Sequence, residues 1–383
     1  MSADSAERKD QPYPPPGSVI AGKYEVVRLI GRGGMGAVLE ALHTRTERRV
    51  AIKWLLPELV DDDEAVARFE HEAKASGRID HPNVVGIHDF GEFEGSYYLV
   101  MDYLHGGTLG ERLEQGPLPV AECIQLLMPV LRGVAAAHEQ GVIHRDMKPD
   151  NIFLPVDRNG MPRPPKVLDF GISKLERHDK TGLEITRAGE VVGTPYYMSP
   201  EQSQGKQDVD GRTDIFSLGV ILYECLAGVR PFTGESYAET LVKIATEDPV
   251  PVDVLRAEVP SGLAAVVETA MAKAPRDRYG AVNELGRALE PFAVHGFDQS
   301  ADWTGSFSAT GTRAVVPETP SAPPPRPPIY DDEPVELPAR AAGAKKLVLG
   351  LVALLAVAAL AALAGGSDDA GEPEARDDAP APV

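Results

Sequence analysis

Apolar residues are distributed along this chain in three ways. Between about Ser18 and Phe292 they recur at the spacings of folded elements. Ala37-Val38-Leu39-Glu40-Ala41-Leu42 and Val50-Ala51-Ile52-Lys53 flank a polar turn from Thr44 to Arg48, a pattern that predicts strand, turn, strand. Arg68 to Ala75 has helical character, and Val120 to Glu139 carries the repeat of a long amphipathic helix. Residues 293–344 lose this periodicity and turn rich in Pro, Ser, Thr, Ala and acidic residues, with Pro323-Pro324-Pro325-Arg326-Pro327-Pro328 inside; the composition predicts a disordered linker. Then Leu347 to Ala364 contains only Leu, Ala, Val and Gly350, with no charge between Lys346 and Asp368. An uncharged run of roughly 20 apolar residues predicts one membrane-spanning helix, here over residues 345–366.

Flanking charge gives that span a direction. Arg340, Lys345 and Lys346 precede it, whereas Asp368, Asp369, Glu372, Glu374, Asp377 and Asp378 follow, with Arg376 among them. The positive-inside rule then puts the large N-terminal part in the cytoplasm of a single-pass protein of the inner or plasma membrane. Residues 293–344 become a cytoplasmic juxtamembrane linker, and residues 367–383 a short acidic external tail, too polar to fold. Residues 1–17, with Pro12, Pro14, Pro15 and Pro16, lack the apolar core of a signal peptide and read as a disordered leader.

Charge narrows the chemistry. The formal net charge is −20 over 383 residues, which repels a nucleic-acid backbone and excludes non-specific nucleic-acid binding. Any phosphate must be held locally, by particular lysines, backbone amides or metal ions. The two cysteines, Cys123 and Cys225, sit in apolar runs without metal-ligand spacing and read as reduced, buried thiols.

One local phosphate site begins at Ile30-Gly31-Arg32-Gly33-Gly34-Met35-Gly36-Ala37-Val38. Glycines at 31, 33 and 36 let a backbone approach phosphates, but the same spacing serves Rossmann folds. There the loop opens into a helix; here a strand, a turn and a second strand follow, so the loop covers a nucleotide from a hairpin. Lys53 ends that second strand. An inward-facing lysine on an apolar strand needs a counter-charge, for which Glu70 and Glu72 are both candidates. Further on stand Val142-Ile143-His144-Arg145-Asp146-Met147-Lys148-Pro149-Asp150-Asn151 and Val167-Leu168-Asp169-Phe170-Gly171. Phosphoryl transfer needs a carboxylate to orient the attacking hydroxyl, oxygen ligands for Mg²⁺ and a cation near the γ-phosphate. Asp146, Asn151, Asp169 and Lys148 supply that set.

With these motifs in this order, joined by Ser199-Pro200-Glu201, the chain from about Tyr24 to Arg287 resembles the eukaryotic-like (Hanks-type) protein kinases. Its C-terminal apolar run makes it similar to the bacterial transmembrane serine/threonine members. The resemblance implies an α+β bilobal protein-kinase fold: an antiparallel β N-lobe with one long helix over residues 18–104, and a mainly helical C-lobe over 105–292. ATP and Mg²⁺, or Mn²⁺ in its place, are the implied cofactors. Lys53 is implied to contact the α- and β-phosphates and pair with Glu72, and Asp146 to act as base or orienter. Lys148 is implied at the γ-phosphate, with Asn151 and Asp169 on the metal. Ile30, Gly31, Arg32, Gly33, Gly34, Met35, Gly36, Val38, Ala51, Met101, Asp102 and Leu104 are implied around ATP, with Met101 as gatekeeper and Asp102 in the hinge. Arg145, Thr194, Glu201, Asp214 and Arg278 are implied to be structural, with Glu201 and Arg278 as an ion pair.

Ser173 to Val192 corresponds to the activation loop, in which Thr181 and Thr186 are the candidate phosphosites. A phosphothreonine adds about −1.5 to −2 charges that an arginine can pair, and Thr186 is expected to meet Arg145. The family's second common phosphosite falls on Ala188. The expected partners are protein substrates and a second copy of the chain for autophosphorylation. Two other readings stand beside the kinase: a pseudokinase, and a membrane-tethered adaptor or scaffold whose proline-rich run binds partner domains. The complete catalytic set argues against the first.

Overall fold

The computed structural model describes residues 11–33, 36–170, 195–206 and 208–293. Chain order opens with a sheet. Strands β1 (Val19–Ile20), β2 (Tyr24–Arg32), β3 (Gly36–His43), β4 (Arg49–Leu55), β5 (Ile87–Phe93) and β6 (Ser96–Asp102) form one antiparallel sheet in the order β1-β2-β3-β4-β6-β5. The β3–β4 hairpin is the predicted strand, turn, strand. Its register sets Val38 opposite Lys53, and Met101 of β6 opposite Ala51. Because side chains alternate faces, Val38, Ala51, Lys53 and Met101 share one face.

Helix α1 (Asp63–Ser76) crosses this small lobe. Phe69 and Ala73, one turn apart, pack with Leu55 and Leu99 of the sheet. Glu72 lies on the same stripe, so the contact that buries Phe69 also carries a carboxylate toward the sheet.

The large lobe is built around two helices. Strand β7 (Gly106–Thr108) and helix α2 (Leu109–Leu113) lead to α3 (Val120–Glu139), the long helix whose repeat the sequence displays. Thr108 caps α2 in a capping box with Glu111. Strands β8 (Ile152–Pro155) and β9 (Lys166–Val167) join β7 in a second antiparallel sheet. After α4 (Pro200–Ser203) comes α5 (Arg212–Ala227), in which every residue from Thr213 to Leu226 is buried. A helix apolar around its whole circumference belongs at the centre, and α6 (Tyr237–Thr246), α7 (Val252–Leu255), α8 (Ser261–Ala270) and α9 (Val282–Leu289) complete the lobe. Helix α3 packs against α9, and α5 against α7, α8 and α9. Each fully buried Leu, Ile or Phe in this core contributes about 1.5–3 kcal/mol. Cys123 and Cys225 lie in it as free thiols.

A charged pair buried on both sides lies within the large lobe. Glu201 of α4 receives both ends of the Arg278 guanidinium, at 2.7 Å each. The remaining donors reach the carbonyls of Arg212, Ala272 and Lys273. All five guanidinium N–H groups are thereby used. Among the described residues, α3 is the single helix long and apolar enough to cross a bilayer, and it is largely buried in this core. The 345–366 segment lies outside the described residues.

Arg278→Ala leaves Glu201 buried without its counter-charge. Urea unfolding should show a loss of about 3–5 kcal/mol; a loss below 1 kcal/mol would mean that solvent reaches the pair.

Candidate active site

Four segments converge where the lobes meet. Strand β4 brings Lys53, α1 brings Glu72, the loop before β8 brings Asp146, Lys148 and Asn151, and the chain after β9 brings Asp169. Lys53 Nζ lies 2.5 Å from Glu72 Oε1 and 3.2 Å from Asp169 Oδ2. Glu70 instead pairs with Lys74 at 2.8 Å, one helical turn on. Burial alone would discharge Lys53, but Asp169 and Glu72 outweigh it and raise its pKa above that of a free lysine.

Across the cleft, Lys148 Nζ lies 3.1 Å from Asp146 Oδ2. Asn151 donates its amide N–H to the Asp146 carbonyl at 2.8 Å. That bond fixes the amide nitrogen and leaves the oxygen as the group a cation can use. Val38, Ala51 and Met101 form an apolar cluster with Val85, Tyr103 and Leu168, while Ile30 is 44% exposed at the end of the glycine-rich strand. Arg32 and Gly33 are exposed, and Gly31, Asp102 and Leu104 half-buried. Glycine is required at 36 by packing, since a Cβ there would meet the Trp54 carbonyl oxygen. Gly31 and Gly33 face open space and have no positive φ. Among the described residues no contact requires glycine at those two positions, which leaves their backbone open to approach. Gly34, Met35, Gly171, Thr181, Thr186 and Thr194 lie outside the described residues.

Asp214 positions the loop that carries Asp146. Its carboxylate, fully buried in α5, accepts the backbone N–H of His144 and of Arg145 at 2.8 Å each, and faces His138 Nε2 at 2.7 Å. Arg145 sits at φ +64° and Asp169 at φ +35°. Such conformations cost a non-glycine residue about 1–3 kcal/mol and persist where the surroundings enforce them. Asp214 grips the N–H of Arg145, and Gln202 Nε2 grips its C=O at 2.8 Å. His144 Nε2–H donates to the Leu168 carbonyl at 2.9 Å, and its Nδ1 accepts from Asp146 N at 3.3 Å. This assigns the neutral tautomer, consistent with burial lowering its pKa.

Residues 24–287 match the protein kinase domain family. The chain belongs to the protein kinase family. Serine/threonine-protein kinase pkn3 of Myxococcus xanthus is 38% identical over 305 residues, covering 79% of this chain and 55% of its own. Pkn1 of the same organism is 41% identical over 306 residues, covering 79% of this chain and 43% of its own. The chain thus spans about half the length of the curated relatives it matches. Among solved structures, the Mycobacterium tuberculosis PknI kinase domain aligns with a TM-score of 0.56 at 30% identity, covering 72% of this chain and 98% of that one.

For a protein kinase the donor set near the cleft fits a divalent cation that takes few protein ligands. Among the described residues no cluster of three His, Cys, Asp or Glu side chains gathers. Asn151 and Asp169 offer two hard oxygen donors, which suits an ion that keeps water and phosphate as its other ligands. No motif marks His138, Gln202 or Val85: His138 faces Asp214, Gln202 holds the Arg145 carbonyl, and Val85 joins the cluster of Ala51 and Met101. Ser199, the first residue of the Ser199-Pro200-Glu201 motif, caps α4 in a capping box with Gln202, and its hydroxyl lies 2.7 Å from Thr213 Oγ1.

Asp214→Ala strands two buried amides. Unfolding free energy should fall by about 2–4 kcal/mol, and the His144 and Arg145 amides should lose protection in hydrogen exchange. Unchanged protection would show that Asp214 does not hold the loop.

Proposed function

We propose that this chain is a membrane-tethered serine/threonine protein kinase that moves the γ-phosphate of ATP onto Ser and Thr hydroxyls of proteins, itself included. The observation that carries the reading is the Lys53–Asp169 contact at 3.2 Å. It brings the lysine of the nucleotide-loop hairpin against a carboxylate that follows β9, so one cation and one anion from opposite lobes face the same space. The names of the bacterial relatives support serine/threonine specificity, as does Lys148 beside Asp146.

In this reading the residues divide the work by charge and reach. Val38, Ala51, Met101 and Leu168 exclude water from the adenine, and backbone groups at Asp102 to Leu104 read its edge. Lys53, held charged by its two carboxylates, steadies the α- and β-phosphates. Asn151 and Asp169 would hold Mg²⁺, which when bound offsets the negative charge of the phosphates. Asp146 orients the substrate hydroxyl and takes its proton, while Lys148 places a positive charge beside the phosphoryl group in flight. Arg145 Nε is buried and has no hydrogen-bond partner among the described residues, which supports phosphorylated Thr186 as its partner. The uncharged run before Asp368, with lysines on one side and acids on the other, supports the membrane anchor and the cytoplasmic kinase.

With radiolabelled ATP and Mg²⁺, the intact chain should label itself and a generic acceptor protein. Asp146→Asn should lower the rate by about 10²–10⁴-fold, with nucleotide binding retained. Absence of transfer from the wild-type chain would sink the enzyme reading and favour a scaffold.

A further inference from the structure

Asp102 ends β6, where the chain leaves the small lobe, and its side chain does work that nucleotide recognition does not use. Its two carboxylate oxygens face different parts of the molecule. Oδ1 accepts from Arg48 Nη2 at 3.1 Å and lies 2.8 Å from His88 Nε2. Arg48 is in the β3–β4 turn and His88 in β5, both small-lobe elements. Oδ2 accepts from the Gly86 backbone N–H at 3.1 Å and lies 3.6 Å from Lys166 Nζ.

The partners of Oδ2 are docked on the large lobe. Lys166 belongs to β9, whose neighbour Val167 lies in the large-lobe core and which packs against α3. The same lysine donates to the Val84 carbonyl at 2.9 Å. Residues 83–86, though they connect α1 to β5, follow β9: Val85 N–H donates to Val167 O at 3.0 Å and Val167 N–H to Asn83 O at 2.8 Å. Asn83 also lies so close to Gly133 of α3 that a Cβ there would meet its carbonyl oxygen at 2.7 Å. A Cβ at Gly86 would meet Asp102 Oδ2 at 3.0 Å, so the carboxylate is seated tightly against this segment. Asp102 and Lys166 are each only about a fifth exposed, which limits screening by solvent and salt. Burial would raise the Asp102 pKa, but the His88, Gly86 and Lys166 contacts prevail and hold it below the usual carboxylate range.

We propose that Asp102 is a latch whose carboxylate ties the small lobe, through Arg48 and His88, to the large lobe, through Gly86 and Lys166, and so limits how far the cleft opens. Asp102 and Lys166 are then positioning residues: they set how fast nucleotide leaves without touching the transferred phosphoryl group. Hinges of this kind govern product release in many enzymes. The kinetic consequence rests on the nucleotide-binding reading above; the mechanical one does not.

Both are measured on the intact chain. Spin labels at Glu25→Cys and Glu268→Cys, exposed positions on β2 and α8, report the distance between the lobes, while the native cysteines are buried. Release of a fluorescent ADP analogue gives the dissociation rate. Lys166→Gln and Asp102→Asn should each shift the distances to longer values and speed ADP release by about fivefold. The double variant should open the lobes little further than Asp102→Asn alone, because the contact that Lys166→Gln removes is already lost there. Lys166→Arg, which keeps the charge, should behave as wild type. Unchanged distances in Lys166→Gln and Asp102→Asn, with a lower melting temperature as the only effect, would overturn the latch. A wild-type chain that binds no nucleotide would overturn the kinase reading instead, and the spin-label distances would still decide the latch.

Discussion

A fully buried carboxylate on the central helix governs the geometry of this molecule. Asp214 has no solvent to solvate it, so its charge must be met by protein groups, and those it finds are the amides of His144 and Arg145 and the ring of His138. Meeting them forces the loop that carries Asp146 to pass directly over α5. Arg145 is driven into a left-handed conformation in consequence, a cost set against two charge-assisted bonds. The core and the Asp146 loop therefore cannot be varied separately.

The second constraint acts across the lobes. Lys53 lies between Glu72 of the small lobe and Asp169 of the large one. Its position on β4 is set by register with β3 and β6, and that of Glu72 by the stripe that packs Phe69 and Ala73. Each placement follows from ordinary burial of apolar side chains. Charge complementarity then selects one arrangement of lobes among those that packing alone would allow.

Much of this was legible in the sequence where the information is local. The polar turn between two apolar runs specified the β3–β4 hairpin, and the repeat from Val120 to Glu139 specified a helix with those bounds. Local signals stopped short where a choice depended on direction: Glu70 and Glu72 are equally acidic, the family resemblance implied Glu72, and the orientation of α1 brings that residue to Lys53. They also missed contacts made across long stretches of chain. Asp102 reads as one more hinge residue, because Arg48, His88 and Lys166 become its neighbours only through the folding of both sheets. Gln202 and His138 carry no motif at all, since their task is to satisfy a backbone carbonyl or a carboxylate that the linear sequence does not reveal as buried. Positive φ at Arg145 and Asp169 is similarly invisible: arginine does not favour it, and aspartate, though it tolerates it, does so at few of its positions.

The large-lobe core has one further property. Its two thiols, one on α3 and the other on α5, are shielded from solvent, and the Cys225 thiol is pushed up by its contact with Cys123 and by burial. A thiolate-seeking reagent therefore meets almost no reactive sulfur until α3 and α5 separate. The chain carries its own chemical clock for the opening of that lobe, readable with a chromogenic disulfide and requiring no engineered probe.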